Sequence, residues 1–265
     1  MVSIIITFYE RFGHLKSCLD TLTYSSRDFD EVVIADDGSS EETVARVKDI
    51  IPQYDFAIHH AWQPKEGFRA AAVRNNGIRH ARGEYLVFLD CDFLVLPGAI
   101  RRHVELARPK QFVAGLCKYT NEVQAENILQ SGVSRKLIED IYRMLPESPI
   151  RREHRRFVRY GILYRLGLAD IRKQKCSSFF SIHRKDIEYI NGYDENFVGW
   201  GGEDEDVTLR MIKAGFRGKS VIPTARLLHL WHPNELGNRS WQDGSNVDYL
   251  YRKNIPFYCA NGLKK

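Results

Sequence analysis

The chain has 265 residues, 43% hydrophobic and 12% aromatic, enough to bury a core and too apolar for a disordered segment. A formal net charge of +5 suits an anionic small molecule such as a nucleotide diphosphate and does not call for nucleic acid. Five scattered cysteines (Cys18, Cys91, Cys117, Cys176, Cys259) without a CxxC pair speak against a disulfide framework or a zinc site. No apolar run approaches the roughly 18 residues that span a bilayer, so the expectation is a cytoplasmic protein.

Val2–Ile6 reads as a buried strand and Arg11–Leu22 as an amphipathic helix. Glu31–Ala35 is a second strand, ending on the polar turn Asp36-Asp37-Gly38-Ser39-Ser40. Ser40, Glu41 and Glu42 open a helix through about Ile51, with the acids at its positive end. Phe56–His60 is a third strand, Arg69–Ala81 a third helix and Glu84–Leu89 a fourth strand. Alternation of this kind implies βαβ units and a mostly parallel, doubly wound α/β sheet. Ligands of such sheets sit at the carboxyl ends of the strands, where Asp36-Asp37 and Asp90-Cys91-Asp92 both fall.

From about Thr120 to Lys175 the pattern is helical, broken at Pro146 and Pro149. Residues 151–175 carry nine Lys and Arg against two acids, Glu153 and Asp170. Phe157, Val158, Tyr160, Ile162, Leu163, Tyr164 and Leu166 are interleaved with them. A solvated helix face is the plain account. The composition also suits a helix lying on an anionic membrane or a cradle for an acidic acceptor. Strands are expected at Ser220–Ile222 and Arg226–Leu230, and Pro233–Lys265 as a surface loop or mobile tail. The division is 1–118 for a nucleotide-sugar half, 119–175 for a helical basic insertion, 176–235 for an acceptor-binding and catalytic half, and 236–265 for a tail.

Three constellations carry chemistry. Asp90 and Asp92, emitted at i and i+2 from a buried strand, are hard oxygen ligands suited to Mg²⁺ or Mn²⁺ on phosphate oxygens; the alternative is a solvated turn. In Trp200-Gly201-Gly202-Glu203-Asp204-Glu205-Asp206 the glycines admit a close ligand and the tryptophan offers a platform for a sugar ring. The alternative there is an acidic helix start favoured by the helix dipole. His229 and His232 bracket Leu230-Trp231. On a strand i and i+3 point to opposite faces, so both reach one site only if the strand ends between them. Either could be the metal ligand, and a pair of structural histidines is the third account.

The runs IITFYER, VVIADDGSS, GFRAAAVRNNGI and GEYLVFLDCD resemble the family 2 glycosyltransferases, which have the GT-A fold. NGYDENFVGWGGEDEDVTLRM resembles the acceptor-side motif of β-1,4-galactosyltransferases, polypeptide GalNAc-transferases and bacterial chondroitin-type polymerases. The likeness covers roughly residues 2–118 and 176–235 and leaves the basic insertion unmatched. It implies that Thr7, Phe8 and Arg11 line the nucleotide and that Asp37, beside Asp36, accepts from the uracil N3–H. Arg69 and Arg74 would approach the nucleotide, with Asp90 and Cys91 on the donor side. The family usually has Asn where this chain has Glu10. Asp92 with one histidine would hold Mn²⁺ or Mg²⁺. Trp200, Gly201, Gly202 and Glu203 would bind the acceptor, and Asp204 would take its hydroxyl proton, which implies inversion.

The implied activity is transfer of Gal, GalNAc or GlcNAc from a UDP-sugar to a saccharide, in some cases lipid-linked, in bacterial surface-glycan biosynthesis. Peripheral contact with the inner membrane face is the partner reading of the basic run, and no nucleic-acid partner is expected. A sugar-nucleotide nucleotidyltransferase would want a Gly-rich basic loop after the first strand, where this chain has Thr7-Phe8-Tyr9-Glu10. A non-catalytic module binding membrane or nucleic acid through the arginines would leave the acidic motifs without a use.

Overall fold

The computed structural model describes residues 1–233, Gln242, Gly244 and 246–265. The first half alternates as the apolar runs require: β1 (Val2–Phe8), α1 (Phe12–Leu22), β2 (Glu31–Asp36), α2 (Glu41–Ile50), β3 (Ala57–Trp62), α3 (Ala70–His80) and β4 (Tyr85–Asp90). There follow β5 (Phe93–Val95), α4 (Ala99–Glu105), β6 (Gln111–Ala114) and β7 (Lys118–Tyr119). Next come α5 (Glu122–Ser131), α6 (Arg135–Met144) and α7 (Ser148–Arg165). The remainder is β8 (Phe180–His183), α8 (Arg184–Tyr189), α9 (Glu203–Lys213), β9 (Arg217–Ser220), β10 (Leu227–His229) and α10 (Asn246–Leu250).

Seven strands form one sheet in the order β3-β2-β1-β4-β8-β6-β9. β8 is its antiparallel member, paired on both sides. β1 sits between β2 and β4, parallel to both, so the ends of β1, β2 and β4 open on one edge. Strands covered on both faces read as continuous apolar runs, and in β1 Ile4, Ile5 and Ile6 are all fully buried. Ile4, Ile6 and Phe8 face α1 and α2, whereas Ile5 faces the layer holding α3 and α9. Gly77 permits that second contact, because a Cβ there would collide with Ile5 on β1. β5, β10 and β7 form a second, small sheet beside the strand ends.

The basic run folds as α7 up to Arg165, pinned by Phe157 against Phe112 and Gly218, while Arg172, Lys173 and Lys175 lie beyond the helix. Lys118, buried beside α6, donates to the carbonyls of Tyr142 and Leu145, both at 2.9 Å, and so closes the helix end. Two expectations shift. The strand placed at Ser220–Ile222 lies earlier, at Arg217–Ser220, where pairing with β6 outweighs a polar composition. The described part of the tail is packed rather than loose: Leu250, Ile255 and Cys259 are buried. Asn191 Nδ2 donates to the carbonyls of Cys259 and Lys264, and Arg252 reaches Asp194 at 3.1 Å and Asp206 at 3.3 Å.

Candidate active site

The DxD residues leave β4 at its carboxyl end and diverge. Asp90 Oδ1 accepts from Thr7 Oγ1 at 2.6 Å, across the β1–β4 pairing, and from Arg74 Nη2 at 3.2 Å. Asp92 is buried and turns the other way, towards His232 Nε2 at 3.2 Å, His229 Nε2 at 3.7 Å and Arg11 Nη1 at 3.8 Å. Both histidines reach one carboxylate because β10 ends at His229, so His232 lies in irregular chain beyond the strand, where the alternation of faces no longer holds. Burial pushes Asp92 up, but the hydrogen bond from His232 and the charges of both histidines and Arg11 outweigh it and hold the carboxyl low.

These three side chains can present one ligand atom each within 4.8 Å of one another. Asp92 Oδ1 and His229 Nδ1 are buried without a hydrogen-bond partner among the described residues. One carboxylate and two imidazoles, with an unsatisfied atom on Asp92 and another on His229, fit a divalent cation. The mixed oxygen and nitrogen set suits Mn²⁺ better than Mg²⁺, which prefers oxygen ligands.

The two acids after β2 are bound into the fold. Asp36 accepts from Ser39 N–H and Oγ and from His60 Nε2 at 2.8 Å. Asp37 accepts from Gln63 Nε2 at 2.8 Å, Lys65 Nζ at 3.2 Å and the backbone N–H of Arg69 at 3.1 Å. The Arg69 guanidinium points away, to Glu66 and the Pro64 carbonyl. The Phe8 and Cys91 side chains are buried in the core, so only their backbones border the site. Glu10 accepts from Ser40 N–H at 2.6 Å and Thr43 Oγ1 at 2.5 Å, serving the start of α2.

The second acidic motif opens α9. Gly202 precedes it at φ +96°, a conformation that favours glycine, and the four acids Glu203 to Asp206 fill the first turn at the positive helix end. Asp206 turns inward to a buried pair with Arg210 at 2.6 Å. Glu203 and Asp204 instead face Arg74 on α3, at 2.8 and 3.5 Å from Nη1. Burial raises the Asp204 carboxyl to about 8, with the nearby charges of Glu203 and Asp90 adding to it and Arg74 opposing. Trp200 is 42% exposed on the preceding loop, where Gly201 accepts from Asn246 Nδ2 at 2.9 Å. Phe68, also 42% exposed, lies on a segment whose carbonyl accepts from Gly199 N–H at 2.8 Å. The sequence reading missed Phe68, and its only signal was an aromatic side chain directly before the Arg69 motif.

The mostly parallel sheet, with acidic groups from the end of β4 and the start of α9 gathered at Arg74, has the fold of the GT-A glycosyltransferases. Residues 3–180 match the family model "Glycosyl transferase family 2", and the chain belongs to that family. Residues 170–233 match a second model, "N-terminal domain of galactosyltransferase".

The chain is 27% identical to the chondroitin synthase of Escherichia coli, covering 97% of this chain and 39% of that protein. It is 26% identical to the hyaluronan synthase of Pasteurella multocida, covering 96% and 28%. It is 29% identical to the validoxylamine A glucosyltransferase of Streptomyces hygroscopicus subsp. jinggangensis, covering 80% and 51%. The chain thus spans about half or less of these relatives. Among solved structures, Staphylococcus aureus TarS 1-349 in complex with UDP-GlcNAc superposes with a TM-score of 0.59 at 14% identity, covering 88% of this chain and 59% of that one. The mannosyltransferase PcManGT from Pyrobaculum calidifontis, in complex with GDP-Man and Mn²⁺, gives 0.57 at 17%, covering 86% and 56%. Among the described residues no helix is long and apolar enough to cross a membrane.

Proposed function

We propose that the protein moves a hexose or N-acetylhexosamine (Gal, GalNAc or GlcNAc) from a UDP-sugar to a hydroxyl of a saccharide acceptor, inverting the anomeric carbon, in bacterial surface-glycan biosynthesis. The observation that carries this reading is the placement of Asp204 across Arg74 from Asp90, which opposes a candidate base to the DxD end of β4.

The diphosphate would lie over the ends of β1 and β4, near Arg11 and Asp92. Asp92, His229 and His232 would hold Mn²⁺, which when bound supplies positive charge for the diphosphate as it departs. Asp37 has three protein donors, and a carboxylate has about four acceptor directions, which leaves one for the uracil N3–H. Cytosine, unprotonated at N3, has no donor to offer there. Trp200 and Phe68, exposed on segments joined by the Gly199–Phe68 backbone hydrogen bond, each offer an aromatic face on which an acceptor ring can stack, and Glu203 accepts from one of its hydroxyls. Asp204 takes the proton of the attacking hydroxyl as the new bond to the anomeric carbon forms and the bond to the UDP oxygen breaks. A base with a pKa near 8 is well matched to that step at neutral pH. The chondroitin and hyaluronan synthase names among the relatives support a glycan product; structural neighbours were solved with UDP-GlcNAc and with GDP-Man, so the choice of uridine rests on Asp37. Measuring UDP release over a panel of UDP-sugars and saccharides tests the reading; release with none of them would count against it.

We also infer that α7 rests on an anionic lipid surface at the inner membrane face, with the enzyme otherwise in the cytoplasm. Val158, Ile162 and Leu166 recur every fourth residue and are 41%, 45% and 65% exposed. Among the described residues Arg151, Arg152, Arg155, Arg159 and Arg165 have no carboxylate partner, unlike Arg156, which pairs with Glu153. Apolar side chains bordered by unneutralised guanidinium groups complement an anionic bilayer and would bring the site to a lipid-linked acceptor.

A further inference from the structure

Arg74 occupies a position that binding a nucleotide does not explain. Its guanidinium is 4% exposed as a residue and is surrounded by three carboxylates from two distant parts of the chain: Asp90 at 3.2 Å, Glu203 at 2.8 Å and Asp204 at 3.5 Å. The next residue, Asn75, fixes this stretch of α3 to the loop before α9, donating to the Tyr193 carbonyl at 2.8 Å and accepting from Tyr193 N–H at 2.9 Å.

We propose that Arg74 is the positioning residue that favours the ionised form of Asp204 and aims it at the acceptor, coupling the donor and acceptor halves of the site. This rests on the reading of Asp204 as the base. One cation facing three carboxylates leaves a net charge of −2, in a buried setting where ionisation is already disfavoured. Among the described residues, the charged side chains other than Arg74 that face Asp204 oppose its ionisation, although Glu205 is itself paired with Lys175 at 2.6 Å and the positive end of α9 adds a partial favourable charge. Glu203 and Glu205 on its own helix and Asp90 at the end of β4 are acids, and burial dominates. Tyr193 and Cys176, on the segments packed around it, are buried and neutral, their own ionisation suppressed first by burial. Arg74 alone among these side chains favours the carboxylate. Its planar fork also reaches Asp90 and Glu203 at once, a geometry a lysine cannot reproduce.

The test is the pH profile of transfer. In the wild type the ascending limb of kcat/KM for the acceptor reports Asp204 losing its proton. Arg74→Gln should move that limb to higher pH by at least about one unit, so that transfer at pH 7 falls at least about tenfold and recovers in part by pH 9.5. Donor KM should stay within a few-fold. Arg74→Lys keeps a charge and a fold; its limb should move in the same direction by less, and it decides the matter if the Gln variant fails to fold. An unmoved limb with a raised donor KM, in either variant, would make Arg74 a donor-binding residue and overturn the proposal. A wild-type limb and rate in Asp204→Asn would instead remove the base reading beneath it, so the two failures are told apart.

Discussion

His232 Nε2 lies 3.2 Å from Oδ2 of Asp92, although His232 follows β10 of the small sheet and Asp92 follows β4 of the main one. With His229 they form the one described cluster in which a carboxylate and two imidazoles converge, and it sits beside the strand ends where a diphosphate would lie.

That convergence predicts metal dependence. Asp92→Ala should abolish turnover and greatly weaken UDP-sugar binding, and His229→Ala and His232→Ala should each lower Mn²⁺ affinity at least about tenfold by titration calorimetry. Near-normal activity of Asp92→Ala in EDTA would refute the metal role.

The α7 face predicts a separable surface interaction. Replacing Arg151, Arg152, Arg155 and Arg156 with Ser should reduce sedimentation with anionic liposomes while sparing transfer to a small soluble acceptor. Liposome binding unchanged by the replacement would return the run to a solvated face.

Asp204 predicts a cost in stability. Burial raises its carboxyl from 3.8 in the unfolded chain to about 8. Between those pH values the folded protein binds more protons than the unfolded one, so this group destabilises the fold increasingly as pH rises through the window. Asp204→Asn, neutral and of the same shape, should raise Tm by about 2–4 °C or more at pH 8.5 and leave it nearly unchanged at pH 4. Equal gains at both pH values would point to a cause other than ionisation.

Much of the donor half is legible in the sequence, for physical reasons. β1, β2 and β4 are continuous apolar runs, and Ser40 announces α2 as the side chain that caps it by accepting from Thr43 N–H. β9 is legible nowhere in its own residues, because Arg-Gly-Lys-Ser forms a strand only through its pairing with β6. The tail looked loose because its anchors are distant: Cys259 and Leu263 pack against the segment around Asn191. At the site, the spacing of Asp90 and Asp92 shows two ligands but not that they diverge, one to Thr7 and Arg74 and the other to the histidines. The i, i+3 argument left His229 and His232 as alternatives because it could not place the end of β10. Arg74 read as a basic helix residue, since its three acidic partners meet only in the folded chain.

The most direct test of the account is the division of labour between donor binding and proton removal. A sugar hydroxyl is a weak nucleophile at neutral pH, and a positioned carboxylate that takes its proton is typically worth on the order of 10²–10⁴ in rate. Glu203→Gln should raise the acceptor KM, because that side chain holds the acceptor. Asp204→Asn should leave UDP-sugar affinity within a few-fold of wild type and lower single-turnover transfer at least about a hundredfold, with the residual product inverted at the anomeric carbon by NMR. Transfer at the wild-type rate, or a retained configuration, would contradict it.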